Sequence, residues 1–343
     1  MELNQEPKSI VVKRIMFMGV ILIVFLICYF VMANKFDPLA RYQYVTRDNR
    51  HVILEYMDSE DIDYIISQKI KPEQFMDFIK MDNFKAKNIL YYDIARKTQN
   101  SDAQYIVNFI NTYRDKMNLD NEPDYLTNYT YGDLASFWNG GYSYIVNAEL
   151  VSDPSVMNLI IPDKASLYRY VPKNLVQITN EIVPYASVID GQDAIMLKEE
   201  VVSPLKQMVA ALATSNKQTG GGLILTSGYI AYDDQVNIYD SALIANGADK
   251  VLKISDYPGH SEQQLGYTLT FTVADSASAA TSSQATWLKD NAYKYGFIIR
   301  YPEGKENITG KNYQALTLRY VGKDIATQMH KSGKTFDETM KED

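Results

Sequence analysis

The sequence is poor in the residues that metal and redox chemistry use. There is one cysteine, Cys28, and there are three histidines, His51, His260 and His330, in 343 residues. One cysteine excludes an internal disulfide, and three scattered histidines leave little material for an imidazole-based site. Positive charge is also scarce. Lys and Arg number 34 against 42 Asp and Glu, a formal charge of −8. Phosphate backbones want a basic face, so a nucleic-acid partner is excluded on this balance. Gly220-Gly221-Gly222 is not followed by Gly-Lys-Ser/Thr, which excludes a phosphate-binding loop. No G-x-S-x-G pattern is present. No internal repeat or low-complexity tract stands out.

Hydrophobic residues, by contrast, are 46% of the chain and charged residues 22%, a globular balance at a length that suits about two folded units. The longest apolar run is Ile15 to Ala33, uncharged throughout. At 1.5 Å per residue it spans about 28 Å, close to the hydrocarbon thickness of a bilayer. Lys8, Lys13 and Arg14 precede it, which places residues 1–14 in the cytoplasm and the rest outside. The reading is an uncleaved anchor over 15–33 contacting the lipid bilayer. A cleaved signal peptide is the alternative, since Val31-Met32-Ala33 resembles a cleavage site. Ile27 before Cys28 does not suit a lipoprotein signal.

Residues 34 to about 48 read as a polar stalk. From 52 to 117 the pattern is mostly helical, with Ser101-Asp102 capping a helix that carries Tyr105, Ile106, Phe109 and Ile110. Residues 119–165 read as irregular, apart from a short strand over Met157–Pro162. Further on, Leu197, Val201, Leu205, Met208 and Leu212 mark an amphipathic helix ended by the triple glycine. Strands are expected at 223–226, 265–273, 297–300 and 317–321, with helices at 232–245 and 287–295 and a charged helix and tail from Asp324. The fold class is α+β: a transmembrane helix, a mostly helical region over 34–169, and a C-terminal domain over 170–343.

That C-terminal domain resembles the VanY-type D-alanyl-D-alanine carboxypeptidases, LAS-type zinc metallopeptidases that trim peptidoglycan stem peptides. The resemblance rests on Ser227-Gly228-Tyr229, Gln235 and Tyr239, Pro258-Gly259-His260-Ser261-Glu262 with Gly266, Trp287-Leu288-Lys289, Ala292 to Phe297, Arg300 to Lys305, Ile308-Thr309-Gly310 and Leu318-Arg319-Tyr320-Val321-Gly322. It covers about residues 170–330 and implies a small antiparallel sheet flanked by helices, in the envelope of a Gram-positive bacterium.

The family's chemistry is not carried by the matching positions. Its pattern S-x-H-x-x-G-x-A-x-D falls on Ser261 to Thr270, with Gln263 where the ligand histidine stands and Thr270 where the aspartate stands. Its E-P-W-H falls on Gln314-Ala315-Leu316-Thr317, so Gln314 replaces the base and Thr317 the third ligand. Ile230 replaces the arginine after S-G-Y. Neutral amides and hydroxyls are poor zinc ligands beside imidazole and carboxylate. The resemblance therefore implies a pseudoenzyme with no zinc and no catalytic residue, whose vestigial positions Gln263, Thr270, Gln314, Thr317 and Ile230 are all uncharged. Those four polar side chains are expected to converge on one spot.

Ser227, Tyr229, Gln235, Ser261, Gln263 and Gln314 are the candidate ligand-binding residues, for a peptidoglycan peptide or an envelope protein. Two other readings stay open. One is a purely structural envelope protein. The other is a working D,D-carboxypeptidase with a rewired site. A rebuilt metal site would draw on His260, Asp256, Asp275 and His330. A serine enzyme would draw on Ser227 or Ser261, but His260 beside Ser261 in sequence is no nucleophile–base pair.

Overall fold

The structure is a computed structural model; it describes residues 8–184, 194–274 and 276–341. Asp275 lies outside the described residues. The chain divides into two compact units, Met1–Pro123 and Asp124–Asp343.

In the first unit, α1 (Lys8–Phe36) carries the apolar run. Its segment Val12–Met32 is long and apolar enough to cross a membrane, and none of it is buried by protein. Four further helices follow: α2 (Arg47–Tyr56), α3 (Ser59–Ser67), α4 (Ile89–Thr98) and α5 (Ala103–Tyr113). Local chemistry sets their starts. Thr46 and Asn49 form a capping box on α2, and the Asp102 carboxylate accepts from the Gln104 and Tyr105 amides to cap α5. Leu39, Tyr42, Ile53, Ile65, Phe75, Ile79 and Ile89 share one core. Residues 34–48 are thus not a polar stalk. Leu39 and Tyr42 are buried, and the Tyr42 hydroxyl donates to the Ile70 carbonyl at 2.7 Å. Two apolar side chains among polar neighbours suffice to fold such a segment onto a core.

The boundary between the units falls inside α6 (Glu122–Asn128). Residues 124–169, read with the helical region from sequence, pack instead in the C-terminal unit. They are also more regular than expected, with α7 (Tyr131–Ser136) and a short parallel pair, β1 (Glu149–Leu150) and β2 (Ala165–Ser166). Close approach at Gly259 ties them down. Gly259 has φ 74°, its carbonyl accepts from the Leu167 amide at 2.6 Å, and a Cβ there would lie 2.4 Å from Ser166 Oγ. No strand forms over Met157–Pro162. The Met157 and Leu159 carbonyls accept from Arg319 Nη2 instead, each at 2.9 Å, so a side chain takes the place of a ladder.

Antiparallel β3 (Leu175–Gln177) and β4 (Met196–Lys198) lead into α8 (Glu199–Asn216). That helix ends before the triple glycine, at Lys217, which takes the left-handed conformation. The main sheet is four-stranded and antiparallel in the order β5-β6-β8-β7: β5 (Ile224–Ser227), β6 (Thr268–Thr272), β7 (Phe297–Ile299) and β8 (Thr317–Tyr320). Helices α9 (Tyr232–Asn246), α10 (Ala248–Val251), α11 (Ser283–Asn291) and α12 (Glu306–Thr309) lie between strands in sequence. After β8 come α13 (Lys323–Ser332) and α14 (Phe336–Met340). The segment Phe336–Met340 is no loose tail, because Phe336 is buried with Val321, Ala326 and Met329.

Candidate functional site

Strand alternation builds the site. Along β6, Leu269 and Phe271 point into the core, so Thr268 and Thr270 share the opposite face. Register then aligns three strands. Ser227 on β5 pairs with Thr270 on β6, and Thr270 pairs with Thr317 on β8. Gln263 lies in the 3₁₀ turn Glu262–Leu265 just before β6, and Gln314 lies just before β8. Gly266, at φ 78°, closes that turn; a Cβ would meet Leu175 and Lys198 side-chain atoms at 3.1 Å.

The four polar positions singled out in the sequence converge. Gln263, Thr270, Gln314 and Thr317 line one cavity of about 160 Å³, together with Gln235, Ser261, Thr268, Asp256, Tyr301 and Lys311. Thr270 Oγ1 is 3.1 Å from Thr317 Oγ1, and the Thr317 hydroxyl donates to Gln314 Oε1 at 2.9 Å. Gln263 Nε2 donates to Ser227 Oγ at 2.7 Å. The hydroxyl of Thr268, on the same wall, is buried without a hydrogen-bond partner. This donor set does not fit zinc. Two carboxamides and two hydroxyls, three of them bonded in series and Gln263 bonded to Ser227, offer neither imidazole nor anionic oxygen. Among the described residues no group of three or more His, Cys, Asp or Glu is placed to hold a metal ion.

The other candidates distribute unevenly. Ser261 is buried on the cavity wall. Gln235 is buried and committed, its Nε2 donating to Ser255 Oγ and to the Asp256 carbonyl. Ser227 reaches the cavity through Gln263 alone. Tyr229 and Ile230 do not line it. The Tyr229 phenol is half-buried, which raises its pKa to about 12, and Ile230 is packed in the core. His260 faces a neighbouring cleft, its Nδ1 3.1 Å from the Ala165 carbonyl. His330 stacks on Tyr293 elsewhere, and exposed His51 lies by Glu55 in the first unit. Asp256 is paired with Lys311, Oδ1 to Nζ at 2.5 Å.

Sequence reasoning passed over Thr268, Tyr301 and the Asp256–Lys311 pair. Thr268 carried a signal, since it stands two residues before Thr270 in a strand. Lys311 directly follows Ile308-Thr309-Gly310, and nothing in that spacing points it at Asp256.

Beside the cavity lies a buried charge cluster. Arg300 Nη2 donates to Glu262 Oε1 at 2.6 Å and to Asp337 Oδ1 at 3.0 Å, and Arg319 Nη1 is 2.7 Å from Glu262 Oε2. Burial would raise the Glu262 pKa, but Arg300 and Arg319 overcome it and hold the carboxyl at about 2. The Phe336 ring packs against both guanidinium groups, 5.4 and 4.5 Å from its centroid. The cluster therefore pins α14 to the turn that carries Gln263.

Comparisons with known proteins point the same way as the motifs. Residues 194–323 match the VanY family, described as D-alanyl-D-alanine carboxypeptidase. The chain is 36% identical over 147 residues to YodJ of Bacillus subtilis (strain 168), which covers 41% of this chain and 52% of YodJ. It is 30% identical over 168 residues to a D-alanyl-D-alanine carboxypeptidase of Enterococcus faecium, covering 47% and 48%. The chain thus spans about half the length of these curated relatives. Among solved structures, the LD-carboxypeptidase LdcB, described in connection with peptidoglycan recognition, superposes with a TM-score of 0.50 at 29% identity, over 58% of this chain and 92% of that one. Residues 194–323 are thus similar to the VanY family in sequence, and the fold around them is similar to that of LdcB.

Proposed function

We propose that this chain is a membrane-anchored pseudoenzyme of the VanY family, which holds a peptidoglycan stem peptide outside the cell without hydrolysing it. In this reading residues 1–14 are cytoplasmic, 15–33 cross the bilayer, and the zinc of the family is absent. One observation carries it. Gln263, Thr270, Thr317 and Gln314, which the resemblance puts at the family's ligand and base positions, line one cavity and are all uncharged, with Thr270, Thr317 and Gln314 already hydrogen-bonded in series. Without a metal, water keeps a pKa near 15.7 instead of about 7. Without a carboxylate base a further factor of about 10² to 10⁴ goes. Acids left behind in such a cavity would cost several kcal/mol per buried ion, and neutral side chains avoid that cost.

What remains suits binding. Ser261, Gln263, Gln314 and the unpartnered Thr268 hydroxyl offer hydrogen bonds in a recess sized for a small terminal group. Support for the ligand class comes from the family match and from the peptidoglycan recognition ascribed to LdcB.

The test uses the full-length protein in detergent micelles: metal content after zinc supplementation, D-alanine release from a stem pentapeptide, and anisotropy with the labelled pentapeptide. Expected are no stoichiometric zinc, no release and saturable binding. Stoichiometric zinc with D-alanine release would establish a working carboxypeptidase instead. No binding and no release would leave an envelope protein as the partner and sink the peptide reading.

A further inference from the structure

A second cleft, of about 780 Å³, adjoins the neutral cavity. Asp256, Glu262, Tyr301 and Lys311 line both, so the two spaces share that wall. Much of this cleft's wall comes from outside residues 194–323. Tyr144, Ile160 and Ile161 contribute from one side of the matched stretch, and Asp337 and Lys341 from the other.

Two properties define what could lie there. The first is charge. Arg300 is held between Glu262 and Asp337, Lys311 is paired with Asp256, and the exposed Asp163 and Lys341 add one charge of each sign. Groups engaged in this way polarise and hydrogen-bond, but they offer little net field to an ionic ligand. The second is ring surface. Tyr144 and Tyr257 are both half-exposed in the cleft, their centroids 6.0 Å apart and their planes at 40°. Buried Tyr239 touches both rings from behind, at 5.8 and 5.2 Å, and fixes them. A backed pair of tyrosines gives a rigid apolar face with a polar tip at small entropy cost. His260 adds an acceptor. With Nδ1–H donating to the Ala165 carbonyl, its Nε2 lone pair is left for a ligand hydroxyl.

A ligand matching this is uncharged, apolar on a flat face and rich in donors and acceptors around its edge. A pyranose has that form: C–H groups on the ring face, hydroxyl and acetamido groups on the perimeter. An acyl chain would waste the polar lining, and an ionic peptide would meet charges that are engaged or offset by one of opposite sign. The cleft volume falls in the small-ligand class of about 300–1,000 Å³.

We propose that this cleft is a saccharide site that takes the hexosamine units of the wall glycan, beside a stem peptide lodged in the neutral cavity. The glycan's identity rests on the function proposed above; the sugar chemistry rests on the tyrosine pair.

The experiment is titration calorimetry on the full-length protein in nanodiscs with three probes: an N-acetylglucosamine tetramer, a free stem pentapeptide and the disaccharide-linked pentapeptide. The tetramer is expected to bind saturably, and the disaccharide to tighten pentapeptide binding at least tenfold. Tyr144→Ala is expected to abolish that gain and Tyr144→Phe to keep it, since stacking needs the ring and not the hydroxyl. Absence of tetramer binding together with no gain from the disaccharide in the unmodified protein overturns the proposal, as does a Tyr144→Ala protein that binds both sugar probes like the unmodified one. Tetramer binding without pentapeptide binding upholds the saccharide site and removes the stem-peptide reading instead.

Discussion

Thr270 and Thr317 face each other across β6 and β8, hydroxyl to hydroxyl at 3.1 Å, on paired positions of the ladder. Where the resemblance puts the family's aspartate and histidine, this chain has two threonines that hydrogen-bond to each other. That geometry makes restoration a direct test. The variant combining Gln263→His, Thr270→Asp and Thr317→His is expected to bind about one zinc per chain, measured by plasma mass spectrometry. Adding Gln314→Glu is expected to bring measurable D-alanine release. A folded triple variant that binds no zinc would show that the alignment of these positions with the ligands is wrong.

Thr317 is the central link of the hydrogen-bonded series. Thr317→Val keeps the shape but strips both bonds, leaving Gln314 Oε1 and Thr270 Oγ1 without this partner. A destabilisation of about 1–3 kcal/mol is expected, read as a lower Tm. Unchanged Tm would mean that water replaces the hydroxyl freely.

Glu262 sets an acid limit. Its folded pKa, about 2, lies below the ordinary 4.5, so the unfolded chain takes up its proton first. The stabilisation is complete above about pH 4.5 and is lost as pH falls toward 2. Glu262→Gln leaves Arg300 and Arg319 without their shared carboxylate, and is expected to cost about 3–5 kcal/mol and to flatten stability over that acid range. Denaturant melts at pH 3, 4.5 and 7 measure both effects.

Glu122 behaves in the opposite sense. It is fully buried, neither carboxyl oxygen has a hydrogen-bond partner, and burial raises its pKa to about 9 although Arg114 pulls it down. The folded state therefore holds the proton that the unfolded state gives up near 4.5, and stability declines as pH rises from 4.5 to 9. Glu122→Gln, neutral at every pH, is expected to raise Tm at pH 8 and to remove most of that decline. A lower Tm at pH 8 would mean that the carboxylate is charged and paired in solution.

The site was legible in sequence as far as one-dimensional spacing reaches. Motif order placed Gln263, Thr270, Gln314 and Thr317 at the ligand and base positions. Strands over 265–273 and 317–321 were likewise visible, because a β-type run is a local property. Asn-, Gly- and Tyr-rich stretches between 119 and 165 misled, since such residues signal turns whether or not the loop later docks. Leu39 and Tyr42 escaped notice for the same reason: two apolar residues carry no period.

The amino-acid order alone settled the apolar run of α1, the helix cap at Asp102 and the uncharged character of Gln263, Thr270, Gln314 and Thr317, because each is read from the residue itself or from neighbours a few residues away. Only the folded chain decided that Ser227, Thr270 and Thr317 lie abreast, that Lys311 finds Asp256, and that Tyr144 meets Tyr239 and Tyr257 from 95 and 113 residues upstream. Those pairings are set by strand register and by close packing, which act through space and leave no periodic trace in the chain.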